Sequence, residues 1–462
     1  MEEAWKKIKE EVVDSGLCTN CGTCVGLNNN VIELRETKTG PLPFKYNKGD
    51  IDPLTYFACP GKGVPYPILN KKFFMPPNDN FISGKVLDTW IGFSSDDNLR
   101  LNSASGGVIT SSLLFLFKKG LINGAVVVKS GFPKPEDARP IIATTIDEIR
   151  GSAQSVYRPI PVNSILQKIS DFKGNLAFVG LPDQVASIRM LQLAKHPSVR
   201  KIKYLLGPYT GTNMYKEAIR SFLRGRGVKD SIKISSLEWR AGEWPGYLEI
   251  KLDDGRSYKA EKFYYNYLTP FFITNSTLVA VDFTNELTDI SVGDAWSPIF
   301  EKQGKGFSVV VSRTERGKKL LDEMKKENFV NLDKIESLKA LNMHGHMLDF
   351  KKRGSFIRMD KNKKKGLRAP MYGYAPLEID LSRRFVEKIV SSIFSIASKP
   401  ISRKLSEKIP VSILGPIFNI LRILWKKMSK PTKRKGLMNT KYLIKKDEIE
   451  LLMEPLNKIN ID

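Results

Sequence analysis

The sequence predicts an α/β (α+β) protein: a central, largely parallel sheet flanked by helices, preceded by a small cysteine-bearing module and followed by a helical extension. Three observations carry this. Short apolar runs alternate with helical segments of 10–15 residues between 87 and 206. All four cysteines fall within the first sixty residues. Fourteen lysines and arginines against two acids (Glu387, Glu407) crowd Arg383–Lys435, about half of the formal charge of +25. The expected boundaries are 1–80, 81–375 and 376–462. A hydrophobic fraction of 41% with 10% aromatics is that of a folded chain, and 462 residues suffice for a large core.

Met1–Ile8 reads as a short amphipathic helix without the apolar stretch of a secretory leader. Cys18, Cys21 and Cys24 then stand three apart, and Cys59 directly precedes Pro60. Three thiols on one tight loop with a distant Cys-Pro match the ligation of a 4Fe–4S cluster. Gly22 and Gly26 suit the sharp turns such a loop needs. Zinc is the rival, although its sites usually come as two separated Cys-x-x-Cys pairs or Cys/His mixtures. Thiols committed to a metal imply a reducing compartment, so a cytoplasmic protein is expected. A proline-rich connector (Pro65, Pro67, Pro76, Pro77) leads onward.

In the middle region, Leu87–Phe93 reads as the first strand. Asn102-Ser-Ala-Ser-Gly-Gly107 follows and opens a helix over Val108–Lys119. Such a loop is either an ordinary serine cap or an anion site, where free N–H groups and the helix dipole meet a ligand. Ala125–Val128 is the next strand, and Gly151–Tyr157 is a second small-polar loop before a helix over Val162–Phe172. Leu176–Val179 exits through Gly180-Leu-Pro-Asp-Gln184 into a helix over Val185–Ala194, and Ile202–Leu206 ends at Gly207-Pro-Tyr-Thr-Gly211. In parallel sheets ligands lie outside the carboxyl ends of the strands, where these loops belong. Beyond 232, Tyr247–Tyr258 is a hairpin about an Asp-Gly turn. Val281–Trp296 carries Asp282, Glu286, Asp289 and Asp294, as turn caps or as cofactor-orienting acids. Thr314–Lys326 reads as a surface helix and the basic run Lys351–Arg368 as a solvated face. His196, His344 and His346 read as incidental.

In the extension, Phe385, Val386, Ile389, Val390, Ile393, Phe394 and Ala397 share a helical face. Ile409–Trp425 is apolar but interrupted by Pro410, Gly415 and Pro416, too short to span a bilayer. Flanking Lys426, Lys427 and Lys433–Lys435 leave two readings: an interfacial anchor, or helices packed on the domain or a partner.

Taken together, the Asn102–Gly107 loop, Gly180–Gln184, Trp244-Pro-Gly246 and the stretch Asp282–Asp294, behind the cysteine set, resemble the family of coenzyme F-420 hydrogenase/dehydrogenase beta subunits over roughly residues 15–370. The resemblance implies an oxidoreductase with FAD, one 4Fe–4S cluster on Cys18, Cys21, Cys24 and Cys59, and coenzyme F-420 as co-substrate. It implies that Asn102, Ser103, Ser105, Gly106 and Gly107 hold FAD phosphates. Gln154 and Ser155 then lie along the flavin, Gly180, Pro182 and Gln184 line its pocket, and Asp289, Ser291 and Asp294 close the site. Asp183, Gln184 and Asp289 are the catalytic candidates. Two departures stand out. Asp183 occupies a place where the family commonly has cysteine, and Ser276–Val281 lacks cysteines found there in many members.

The expected function is hydride exchange between coenzyme F-420 and FAD, with single electrons passing through the cluster to a redox partner subunit or ferredoxin, which could be quinone-linked. The alternatives are a reductase of a quinone or conjugated acceptor on the same cofactors, and a non-catalytic basic nucleic-acid- or lipid-binding protein with a structural metal. Nucleic acid is the less favoured partner, an oligomer is allowed, and residues 385–435 are the candidate for peripheral contact with the inner face of the cell membrane.

Overall fold

The computed structural model describes residues 2–76, 80–261 and 266–459; Pro77 and the side chains of Lys426 and Lys433–Lys435 lie outside the described residues. The strands, in chain order, are β1 (Ile32–Thr37), β2 (Gly40–Lys45), β3 (Asp88–Ser94), β4 (Gly124–Ser130), β5 (Ala138–Ala143), β6 (Leu176–Val179), β7 (Ile202–Pro208) and β8 (Ile234–Ala241). There follow β9 (Tyr247–Leu252), β10 (Ser257–Glu261), β11 (Ile290–Asp294), β12 (Ser308–Ser312), β13 (Val330–Lys334), β14 (Tyr374–Pro376) and β15 (Tyr442–Ile444).

The central sheet has the order β13-β3-β12-β11-β7-β6-β4-β5. Its middle, β11-β7-β6-β4, is parallel, and antiparallel partners border it on both sides. β3, β4, β6, β7 and β11 therefore all point one way and end on one edge. Ala125, Val126, Ala177, Phe178, Leu205 and Leu206 are buried, the near-continuous apolar character of strands covered on both faces. The helices Val108–Lys118 and Pro182–Leu193 pack against it, and their buried residues join two apolar cores on opposite sides.

Local chemistry sets the boundaries. The segment Val162–Phe172 begins as a 3-10 turn, Val162–Ile165, and becomes α-helical at Leu166–Asp171. The helix Glu315–Lys326 is capped by Thr314, whose Oγ1 accepts from Gly317 N–H at 3.1 Å. The expected proline connector contains a helix, Tyr66–Phe73, because a proline costs nothing in a first helical turn. β8, β9 and β10 form a separate antiparallel sheet. β14 pairs with β15, so the end of the chain returns to the domain.

In the extension, the helix Leu381–Ala397 buries Val386, Val390 and Ala397, whereas Phe385 is exposed. The interrupted stretch after Ile409 forms one helix, Val411–Lys435. Pro410 precedes it, and Pro416, in its second turn, cannot donate to the Ser412 carbonyl. Among the described residues no helix is long and apolar enough to cross a membrane.

The basic run is a solvated face only in its second half, where Lys361, Lys363, Lys364, Lys365 and Arg368 are exposed. Lys351, Lys352, Arg353 and Arg358 are buried, as is Arg383. Helical spacing turns them inward, where each meets an acceptor. Asp349 accepts from Arg353 and Arg383, both at 2.6 Å; Glu387 accepts from Arg383 at 2.9 Å and also from Arg358. Burial alone would raise the Glu387 carboxyl, but the Arg358 and Arg383 guanidiniums hold it below the ordinary carboxylate range. This network fastens the extension to the domain. Arg383→Ala leaves two buried carboxylates short of a cation and should cost on the order of 3–5 kcal/mol in denaturant unfolding. Lys319→Ala, which removes an exposed pair with Glu323, should change stability by less than about 1 kcal/mol.

Candidate active site and cysteine module

The strand ends converge on a cavity of about 290 Å³. Its wall is built from the ends of β4 (Val127, Val128), β6 (Val179), β7 (Pro208) and β11 (Val292–Asp294), and from the loops at 103–108, 152–158, 180–181 and 209–213. This is the crevice expected of an open α/β sheet. Gly107, at φ 77°, precedes the helix Val108–Lys118 without any side-chain cap, so the first-turn N–H groups keep their donors for a ligand. Ser103 and Ser105 do not cap it. Their hydroxyls donate to the Leu99 and Phe307 carbonyls at 2.6 Å each. Gln154 lies in the left-handed region at φ 97°, which costs a non-glycine residue about 1–3 kcal/mol, and its Nε2 donates to the Asn102 carbonyl at 2.9 Å.

Of the residues anticipated from sequence, Ser103, Ser105, Gly107, Gln154, Ser155, Gly180, Gln184 and Asp294 wall the cavity. Gln184 is held at both ends: Oε1 accepts from Leu181 N–H at 2.8 Å and Nε2 donates to the Ile160 carbonyl at 2.7 Å. It shapes the pocket, and its amide has no titratable proton to give. Gly106, Pro182, Asp183, Asp289 and Ser291 stand behind the wall, and Asn102 is exposed outside it. Asp289 is buried at the far end of β11, accepting from Leu205 N–H at 2.8 Å and Thr314 Oγ1 at 3.0 Å. Ser291 accepts from Arg313 Nε at 3.0 Å. Gly106 N–H donates to Ser308 Oγ at 2.9 Å. Asp282 caps a turn by accepting from Asn285 and Glu286 N–H, both at 2.8 Å. Glu286 pairs with the buried Lys352 at 2.5 Å. Of the four acids in that stretch, only Asp294 reaches the cavity.

Sequence reasoning missed Tyr157, Tyr209 and Arg240, all of which line the cavity. Arg240 donates to Tyr157 Oη at 3.1 Å, Asp294 Oδ2 at 3.2 Å and the Pro245 carbonyl at 2.6 Å. The available signal was an arginine on an otherwise inward strand position of β8. Burial pushes the Tyr209 phenol up to about 12. His344 packs 5.2 Å from that ring and is held neutral, its pKa pushed down to about 4 by burial.

Cys18, Cys21, Cys24 and Cys59 all wall one small cavity of the N-terminal module. Burial favours their neutral thiol forms, raising Cys59 to about 12. Among the described residues no group of three or more His, Cys, Asp or Glu converges on a single metal ion. The loop turns at Gly22, φ 87°, which has no room for a side chain: a Cβ there would sit 2.8 Å from Ser164 N and 2.9 Å from the Pro161 carbonyl. At Gly26 it would sit 2.0 Å from the Asn163 carbonyl oxygen. The loop is thus pressed against residues 161–164, and Ile160 and Val162 of the same segment wall the larger cavity. Asn163 joins them: its N–H donates to the Cys21 carbonyl at 2.9 Å, and its Nδ2 to Thr23 Oγ1 at 2.9 Å and the Gln184 carbonyl at 3.2 Å. Ser187 Oγ bonds Thr23 Oγ1 at 2.6 Å and donates to the Ala58 carbonyl at 2.7 Å, tying both cysteine segments to the helix Pro182–Leu193.

Lys351 links the two departures from the family pattern electrostatically. Burial raises the Asp183 carboxyl, and the charge of Lys351 lowers it in return. Lys351 Nζ donates to the Thr277 carbonyl at 2.9 Å, within the segment where many members carry cysteines.

A parallel-centred sheet with a crevice at its strand ends, and a four-thiol pocket against the crevice wall, defines an α/β protein with a cysteine module docked on its sheet. The chain belongs to the family of coenzyme F-420 hydrogenase/dehydrogenase beta subunits, whose members are oxidoreductase components: residues 89–167 match the description of its N-terminal part and 173–337 that of its C-terminal part. It is 26% identical over 353 residues to the coenzyme F-420-dependent sulfite reductase of Methanocaldococcus jannaschii, covering 73% of this chain but only 50% of that protein. It is 27% identical over 254 residues to the beta subunit of the coenzyme F-420 hydrogenase of Methanothermobacter thermautotrophicus (53% of this chain, 84% of the relative). It is 24% identical over 362 residues to a component of the F(420)H(2) dehydrogenase of Methanosarcina mazei (75% and 92%). A chain of the F-420-reducing NiFe hydrogenase complex from Methanosarcina barkeri shares the fold, with a TM-score of 0.50 and 19% identity over 63% of this chain and 98% of that one.

Proposed function

We propose that this protein is a flavin and iron–sulfur oxidoreductase exchanging hydride between coenzyme F-420 and FAD, with single electrons passing through one 4Fe–4S cluster to a redox partner subunit or ferredoxin. The observation that carries the reading is the shared wall. Residues 160–163 face the crevice on one side and the cysteine loop on the other, so groups bound in the two cavities lie on opposite sides of a few residues. The names of the relatives support the coenzyme.

The residues present suit both groups. Four thiols walling one cavity, three of them at Cys-x-x-Cys-x-x-Cys spacing with a distant Cys-Pro, suit a cluster better than zinc. Uncapped N–H groups after Gly107 suit an anionic cofactor. Bound FAD supplies the conversion between a two-electron hydride and single electrons. The chain's own part is to hold and orient. The first turn after Gly107 would hold the phosphates, Gln154, fixed in an unusual backbone conformation, would help hold the flavin, and Gln184 braces the crevice loop. Tyr157, Arg240 and Asp294 form a bonded set that would orient a second ligand in the crevice. Asp183 and Lys351 fill the place where further thiols would be needed, which supports a single cluster.

The extension supports a contact at an anionic lipid surface. It leaves Ile401, Leu405, Ile413, Ile417, Ile420 and Leu424 exposed beside Lys404, Lys408 and Lys427.

Purified without oxygen, the protein should contain about one FAD with about four iron and four sulfide per chain. It should oxidise reduced coenzyme F-420 when given an artificial one-electron acceptor. Preparations lacking flavin and sulfide, or reduced by NAD(P)H but not by reduced coenzyme F-420, would refute the proposal. In flotation with phosphatidylserine vesicles the full chain should float and the quadruple Ile413, Ile417, Ile420, Leu424→Ser variant should not; equal flotation would remove the lipid contact.

A further inference from the structure

Lys62 stands three residues after Cys59, on the loop between the helices Leu54–Phe57 and Tyr66–Phe73. The loop is pinned on both sides. A Cβ at Gly61 would sit 2.4 Å from Val12 Cγ1 and 2.9 Å from the Leu17 carbonyl oxygen, directly ahead of Cys18. One at Gly63 would sit 2.0 Å from the Met371 carbonyl oxygen. Met371 N–H donates to the Lys62 carbonyl at 3.1 Å, and Val64 N–H to the Met371 carbonyl at 2.8 Å.

The side chain is as firmly placed as the backbone. Lys62 is only 6% exposed, and its ammonium lies 5.5 and 5.7 Å from the Tyr56 and Phe57 ring centroids. It donates to the Leu452 carbonyl at 3.3 Å, in the terminal helix Lys446–Asn457. Among the described residues no carboxylate forms an ion pair with it. Glu11, whose charge reaches it, is engaged elsewhere, accepting from Tyr56 Oη at 2.6 Å and pairing with Arg368 at 3.2 Å. Burial disfavours the ammonium, and Cys59 is the negative group that favours it most, ahead of Glu11.

Folding alone gains little from such a lysine. A sealed ammonium with three donors, one long bond to a carbonyl and no carboxylate is unfavourable until an anion comes close. The four-thiol cavity is where that anion belongs. A cluster held by four thiolates is a net anion, and each electron it accepts adds one more negative charge. We propose that Lys62 is the fixed counter-charge of this cluster and sets its reduction potential, favouring the reduced form and so raising the potential. The proposal rests on the cluster reading above and adds to it the residue that tunes the cluster. It also gives the terminal helix a part: closing over Lys62, it keeps water from screening the charge.

The test is a potentiometric titration of the oxygen-free, cluster-loaded full chain, with dithionite as reductant and the electron paramagnetic resonance signal of the reduced cluster as readout. In Lys62→Gln the reduced-to-oxidised ratio at a fixed potential should fall about ten- to a hundredfold, a shift of roughly 60–120 mV to lower potential. Lys62→Arg, which keeps the charge, should stay close to wild type, and Lys38→Gln, at an exposed lysine of the β1–β2 turn, should leave the potential unchanged. A wild-type potential in loaded Lys62→Gln, or an equal drop in Lys62→Arg, overturns the proposal. If Lys62→Gln folds without sulfide while Lys62→Arg retains it, the cation is needed to hold the anion and the proposal stands. If both fold without sulfide, the shape of lysine matters rather than its charge, and the proposal is overturned. Wild type without sulfide overturns the cluster reading itself, and this proposal with it.

Discussion

The arrangement depends on the buried amide of Asn163. Its backbone and side chain together bond the cysteine loop at Cys21 and Thr23 and the crevice helix at Gln184. A buried polar side chain is costly unless bonded, and the bonds here reach two separate parts of the chain, so the register of the module on the domain is specified as well as stabilised. The glycines at 22 and 26 make the same point sterically. Neither leaves room for a Cβ against residues 161–164, so the module can sit only where its backbone touches that segment. Ser187 repeats the device for the segment carrying Cys59.

Much of the architecture was legible because it depends on local pattern. Leu176–Val179 has the predicted bounds, and the helix after Gly107 and the hairpin at 247–258 lie within a few residues of those expected. Apolar runs between glycine-rich turns leave little freedom there. The loops at 103–107, 154–155 and 180–184 reach the crevice because strand ends in a parallel sheet share an edge. What local pattern cannot convey is the direction of a side chain within such a loop. Asp289 and Ser291 belong to the most specific stretch of the family resemblance, yet they serve the strand junction behind the wall, where a backbone N–H and Arg313 occupy them. Arg240 could not be found that way, since its partners Tyr157 and Asp294 are remote in sequence.

The charge pattern misled for a related reason. A run such as Lys351–Arg368 reads as solvated because burying a cation is expensive, but the expense vanishes when the anions come from elsewhere in the chain. Asp349 and Glu387 supply them, and Glu387 belongs to the extension itself. The high positive charge is therefore partly internal, and among the described residues Lys404, Lys408 and Lys427 stand exposed beside the apolar residues of the helices after 400.

The central claim is that the two cavities form one electron path across residues 160–163. Its most direct test supplies oxygen-free protein, with FAD either bound or stripped, with an excess of reduced viologen as one-electron donor, so that two electrons are available for each coenzyme, and follows cluster reoxidation after mixing with oxidised coenzyme F-420. Such a path requires the cluster to reoxidise in step with formation of reduced coenzyme only when FAD is bound. Reoxidation at the same rate in flavin-free protein, or none in flavin-loaded protein supplied with excess coenzyme, would contradict it.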